Sequence, residues 1–109
     1  MHPTIEHHRA NIAVLCREFG VKRLEVFGSA TSDRFDPSRS DFDFVVEFEH
    51  ADTDPRIHIR YIDFSNAMES LLGRPIDLLT DRALKPRFRA YIQDQRQLVY
   101  ESADRERAA

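Results

Sequence analysis

Hydrophobic positions recur along this chain at two spacings, one helical and one alternating. From residue 4 to residue 19, Ile5, Ile12, Leu15, Cys16 and Phe19 fall at helical intervals, and Gly20 follows as a helix-ending residue. This predicts a helix over 4–19. "VKRLEVF", residues 21–27, reads as a strand with Leu24 and Val26 on one face, ended by Gly28 and Ser29. The next stretch, "ATSDRFDPSRS", is rich in turn residues. Residues 42–48 give the clearest strand: Phe42, Phe44, Val46 and Phe48 share one face, and Asp41, Asp43, Val45 and Glu47 share the other.

A second long helix is predicted from Asp54 as N-cap and Pro55 at the first helical position. Its apolar stripe is Ile57, Tyr61, Phe64, Met68, Leu71 and Leu72, and Gly73 closes it. "RPIDLLT", residues 74–80, reads as a third strand. A last helix from Pro86 is predicted to bury Phe88, Tyr91 and Ile92, and "QLVY" adds a short strand. The order implies an α/β (α+β) fold: a small mixed sheet of three or four strands with helices packed on it. Strands 42–48 and 74–80 are expected to be neighbours. The expected organisation is one domain over residues 1–109, frayed over about the first three and last eight residues.

Composition narrows the class. With 41% hydrophobic and 32% charged residues, the chain suits an ordinary globule. Its longest apolar run, "FVVEF", is interrupted by Glu47, so no membrane span is expected. The start "MHPTIEHHRA" lacks the apolar core of a secretory signal, which makes the cytoplasm the expected compartment. Cys16 is the single cysteine and falls on an apolar helix face, where an inert buried thiol is expected. The five histidines, His2, His7, His8, His50 and His58, show no metal-ligand spacing and read as surface residues.

A formal net charge of −3 is not the cationic surplus that gripping a nucleic-acid backbone requires, so direct nucleic-acid binding is not expected. The charge is uneven, however. Residues 33–54 carry eight acids against two arginines, whereas residues 81–96 carry five basic groups against two acids. Arg82, Lys85, Arg87, Arg89 and Arg96 form a basic set on or beside the last helix. It reads either as a solvated face or as a docking surface for an acidic partner or for phosphates.

The candidate chemistry lies in three acids and a turn. Asp41 and Asp43 open the most hydrophobic strand and point the same way, and Asp77 sits inside the third strand, where Asp is disfavoured. If the two strands are neighbours, the three carboxylates converge. Two such charges about 4 Å apart repel by roughly 4 kcal/mol at an effective dielectric of about 20, so a proton or a cation must neutralise them. A hard divalent ion such as Mg²⁺, which takes oxygen ligands, is the natural candidate at neutral pH. Gly28 and Ser29 complete the pattern, since a Gly at a strand end admits a phosphate to backbone N–H groups and the Ser hydroxyl can donate as well. Each element alone has an ordinary reading as a turn or a wet strand edge. Their conjunction reads as a phosphoryl or nucleotidyl transfer site. Ser29 as a covalent nucleophile is rejected, because no histidine base is spaced to serve it.

Gly28-Ser29, separated by eleven residues from Asp41 in "SDFDFVVEF", followed by "GRPIDLLT", resembles a minimal nucleotidyltransferase of the polymerase-β superfamily. Within it, the chain is most similar to the small MNT-type antitoxins that pair with HEPN ribonuclease toxins. The resemblance covers about residues 20–101. It implies that Gly28 and Ser29 hold the triphosphate of ATP and that Asp41 and Asp43 bind Mg²⁺ in a two-ion site. It also implies that Asp77 completes the metal site or accepts the proton of the attacking hydroxyl. Many such sequences carry an arginine shortly after Gly-Ser, which is missing here; Arg34 and Arg39 are the loop residues that could replace it.

Three functions follow. The first is transfer of AMP from Mg-ATP to a protein hydroxyl, a tyrosine of a cognate HEPN-type toxin. The second is a non-catalytic antitoxin that occludes its partner. The third, a small-molecule adenylyltransferase, would need a further helical domain for its acceptor. About 100 residues leave little material to cover the base or the acceptor, so a homo- or hetero-oligomeric partner is expected.

Overall fold

The computed structural model describes residues 1–31 and 41–103. Their elements run α1 (Pro3–His7), α2 (Arg9–Glu18), β1 (Val21–Phe27), a 3-10 turn (Gly28–Thr31), β2 (Phe42–Phe48), α3 (Ile57–Leu72), β3 (Ile76–Thr80), α4 (Pro86–Ile92) and β4 (Gln97–Glu101). The four strands form one sheet in the order β3-β2-β1-β4. Pairing is antiparallel at β1–β2 and β1–β4 and parallel at β2–β3, so the expected mixed sheet and the expected β2–β3 neighbours are both present.

Strand alternation gives the sheet two unequal faces. Leu24, Val26, Phe42, Phe44, Val46 and Leu78 pack with Ile5, Ile12, Cys16, Phe64 and Met68 from the helices. The other face carries a smaller cluster of Phe27, Val45 and Ile92, with Leu79 and Leu84 against it. Burial pushes the Cys16 thiol up to about 12, which fits the expected inert role. Among the described residues, no helix is long and apolar enough to cross a membrane.

Several boundaries differ from the sequence reading. The helix expected over 4–19 is two helices, because the His8 ring binds the Thr4 carbonyl at 2.9 Å and the His8 backbone leaves helical geometry. The N-terminus is not frayed: the His2 N–H donates to the Ala30 carbonyl, and its ring accepts from the Thr4 N–H at 3.1 Å. His2 and His8 are therefore half-buried end caps rather than surface residues. Asp54 is not the N-cap of α3. Its carboxylate accepts from the Arg56 N–H two residues on, making a local turn that delays the helix to Ile57. The third strand starts at Ile76, two residues later than expected. Ser102, expected to be frayed, is buried and donates its N–H to the Lys22 carbonyl.

The largest correction concerns α4. Of Phe88, Tyr91 and Ile92, only Ile92 is buried, whereas Phe88 is 38% and Tyr91 71% exposed. At seven residues, this helix touches the sheet with about one residue per turn. Ion pairs supply what apolar contact does not. Arg96 bridges the buried Glu25 on β1 and Asp81 before α4, and Arg89 from α4 also reaches Asp81, at 3.1 Å. Arg89 and Arg96 are thus engaged internally, which removes them from the expected basic docking set.

A second staple crosses the opposite side. Arg60 on α3 donates to the Glu49 carbonyl at 2.8 Å, lies 5.0 Å over the Phe48 ring, and has its Nε 3.1 Å from an Asp54 oxygen. That last contact is an ion pair by distance but is not aligned as a hydrogen bond.

Removing the Arg96 guanidinium leaves the buried Glu25 without its main partner. Arg96→Met is expected to lower unfolding free energy by about 3 kcal/mol in urea titrations, as for other half of a buried pair. Burial pushes the Asp81 carboxyl up, but hydrogen bonds from Arg96 and Arg89 outweigh it and hold the group below its ordinary 3.8. Its contribution is therefore present above that ordinary value and lost as pH falls through the lower folded value. Stability curves of the native chain and Asp81→Asn are expected to run apart at neutral pH and converge in that acid window.

Candidate active site

The β2–β3 ladder pairs Asp43 with Asp77. Paired residues of adjacent strands point to the same side, so both carboxylates rise from the small-cluster face. Across β2 on its other edge, Asp43 pairs with Phe27, the last residue of β1. Gly28 comes next and sits at φ +76°, in the left-handed region that favours glycine. A Cβ on Gly28 would meet Asp43 Oδ2 at 2.7 Å. Gly28 of the Gly-Ser turn therefore lies directly against Asp43 of the next strand, although eleven residues separate Ser29 from Asp41.

The environment of Asp43 is the most telling electrostatic feature. Desolvation first, then the charges of Asp77 and Asp41, push its carboxyl up to about 6. A half-buried acid among acids is a site short of positive charge. Asp41 is exposed and stands one residue before β2 begins. Asp77 is exposed, and its charge also raises the Tyr61 hydroxyl, second to desolvation. Tyr61 donates that hydroxyl to the Leu78 carbonyl, which places it in the structural role expected for the α3 aromatics.

Among the described residues, no group of three His, Cys, Asp or Glu side chains is gathered closely enough to hold a metal as it stands. The expected close approach of all three acids is thus only partly met. The ladder fixes Asp43 beside Asp77, whereas Asp41 lies ahead of the ladder, and like charges push apart. The donor set nevertheless suits a hard cation: carboxylate oxygens on one face, with a site at Asp43 that favours neutralisation.

Gly28 and Ser29 open the 3-10 turn, which Thr31 closes by donating its hydroxyl to the Gly28 carbonyl at 2.7 Å. The Gly28 N–H, a candidate phosphate donor, donates to Gln95 Oε1 at 3.2 Å. Gln95 carried no signal in the sequence, because it lies 67 residues away in the turn after α4. Phe88 was also missed as a neighbour of this site. Its ring meets Phe27 edge-on, with centroids 5.9 Å apart. Arg34 and Arg39, the candidates for the missing loop arginine, lie outside the described residues. Arg74, 5.2 Å over the Phe42 ring, brings a cation to the same end of β2.

A cleft of about 970 Å³ opens at the other end of β2 and β3, lined by residues such as Phe48, His50, Ile57, Tyr61 and Arg82. It holds none of Gly28, Ser29, Asp41, Asp43 and Asp77.

Residues 11–99 match the family model of a nucleotidyltransferase domain. The chain belongs to this family. A solved structure, proposed to be a minimal nucleotidyltransferase, is 30% identical to it, covering 89% of this chain and 95% of the other, with a TM-score of 0.72. The nucleotidyltransferase fold is also shared with a toxin–antitoxin structure containing AMP-PNP, at TM-score 0.67 and 18% identity, covering 92% of this chain and 78% of that one. A third structure, a tri-AMPylated HEPN toxin from Shewanella oneidensis in complex with its MNT antitoxin, matches at TM-score 0.63 and 16% identity, covering 95% and 78%. No protein of curated function matches significantly.

Gly28→Ala tests the contact between turn and acid. The added methyl forces a strained left-handed backbone and displaces the Asp43 carboxylate. The expected outcome is a folded protein destabilised by about 1–3 kcal/mol in denaturant titration, with nucleotide affinity in Mg²⁺ reduced more than roughly tenfold by calorimetry.

Proposed function

We propose that this nucleotidyltransferase moves AMP from Mg-ATP to a hydroxyl of a protein partner, a tyrosine of a cognate HEPN-type toxin, and thereby acts as an antitoxin. The observation that carries the reading is Asp43, beside Asp77 in the β2–β3 ladder and against the Gly28 turn on its other side. Occlusion alone needs neither the acids nor the glycine. The toxin–antitoxin structures that share the fold, one with AMP-PNP and one with an AMPylated toxin, support the choice of nucleotide and partner. The chain would work as one minimal domain in the cytoplasm.

In this reading Gly28 and Ser29 hold the β- and γ-phosphates through backbone N–H groups and the Ser29 hydroxyl. Gln95 gives up the Gly28 N–H when phosphate arrives, exchanging one acceptor for a charged one. Asp41, Asp43 and Asp77 would hold one or two Mg²⁺ ions, which would supply positive charge against the phosphate oxygens. The acceptor hydroxyl attacks the α-phosphorus, the bond to the pyrophosphate oxygen breaks, and Asp77, the more exposed of the ladder pair, takes the hydroxyl proton.

The occlusion reading draws on one observation: the acids are not gathered into a finished ligand set. Labelled ATP, Mg²⁺ and the partner toxin separate the two. Asp43→Asn removes a charge but keeps the shape, so transfer of label is expected to fall by orders of magnitude. Its stability at neutral pH is expected to be unchanged or slightly higher, because a like-charge repulsion is relieved. Intact toxin neutralisation by Asp43→Asn, with no label transferred by the native chain, would establish occlusion instead.

A further inference from the structure

We propose that the exposed aromatic pair of α4, Phe88 and Tyr91, is the stacking platform for the nucleobase of the bound nucleotide. This rests on the nucleotidyltransferase reading and adds a base subsite to it.

The two rings are stacked, with planes 17° apart and centroids separated by 6.4 Å. Tyr91 is 71% exposed, which is unusual for a residue whose spacing matches a core stripe. Their position is what gives the pair a function. Phe88 packs on Phe27, and Phe27 is the ladder partner of Asp43 and the residue before Gly28. A continuous path of aromatic rings thus runs from the edge of the carboxylate site out to solvent along α4.

A second, independent contact holds the same segment to the same place. Gln95, in the turn that leaves α4, accepts from the Gly28 N–H at 3.2 Å. The α4 segment therefore clasps the Phe27–Gly28 corner with a ring at one point and an amide at another. The salt bridges of Arg89 and Arg96 to Asp81, and of Arg96 to Glu25 on β1, fix its seat on the sheet. With its phosphates on the Gly28 turn, a nucleotide would direct its base toward the exposed rings that begin at Phe88, against Phe27.

The charge around the platform suits the same ligand. Lys85, the N-cap of α4, and Arg87 within it are both exposed just ahead of Phe88, so they offset the nearby acids for an anionic nucleotide. A π-face contact of this kind accepts any base, because every base offers a flat face. It contributes affinity, while the acids and the turn set the chemistry.

The test is calorimetry on the full chain in Mg²⁺, with ATP and inorganic tripolyphosphate as paired probes. Tyr91→Ala removes an exposed ring and is not expected to disturb folding. Stacking of one base on one aromatic ring corresponds to roughly 5- to 150-fold in affinity. Tyr91→Ala is expected to lose about that factor for ATP and none for tripolyphosphate, and Tyr91→Phe is expected to restore ATP binding. Unchanged ATP affinity in Tyr91→Ala overturns the proposal, even if toxin binding falls, since the rings would then serve a protein partner. An equal loss for both probes, or no rescue by Tyr91→Phe, overturns it as well. If the native chain binds neither probe, the nucleotide reading itself fails, and the platform with it.

Discussion

One pairing governs the rest of this molecule: the parallel register that sets Asp43 of β2 beside Asp77 of β3. Neighbouring strands lie about 4.8 Å apart, and two unit charges about 5 Å apart repel by roughly 3 kcal/mol at an effective dielectric near 20. Nothing in the packing of the fold calls for that repulsion. Phe44, Val46 and Leu78 on the opposite face already hold the two strands to the helices. The acids are a cost carried at one end of the sheet, and desolvation followed by the charges of Asp77 and Asp41 raises the Asp43 carboxyl. In the proposed function a cation would remove that cost, and a phosphate bound beside it would make use of it.

The surrounding structure serves this edge. β1 delivers Phe27 and Gly28 to the flank of Asp43, and only a residue without a side chain fits there. The N-terminal segment closes the turn from behind, through the His2 N–H on the Ala30 carbonyl. The short α4 is held by Arg89 and Arg96 rather than by a broad apolar contact, so its rings stay exposed. Stability and site thus divide between the two faces. The helix-covered face carries the core, and the other carries charge, glycine and exposed aromatics.

Much of this was legible from alternation alone. The 2-residue period of 42–48 separated Phe42, Phe44, Val46 and Phe48 from Asp41 and Asp43, and the structure keeps that division. Asp77 stood out because an acid inside "PIDLLT" has no reason to be there unless its face is open. Legibility failed wherever a long-range contact decided a local outcome. Asp54 matches an N-cap by type, yet its carboxylate is used by Arg56 and Arg60. Phe88 and Tyr91 sit at core spacing, but a seven-residue helix held by ion pairs buries only Ile92. Gln95 had no pattern to betray it, since its role comes from a strand end 67 residues earlier.

The most direct test of the central claim is where a divalent ion sits. Mn²⁺ shortens the relaxation of nearby nuclei, so titrating it into the isotopically labelled chain maps the metal by loss of backbone amide signals. The account expects selective loss around Gly28, Asp43 and Asp77, reversed by EDTA and much reduced in Asp43→Asn. Loss centred instead on the far cleft between His50 and Arg82, or no selective loss at all, would contradict it.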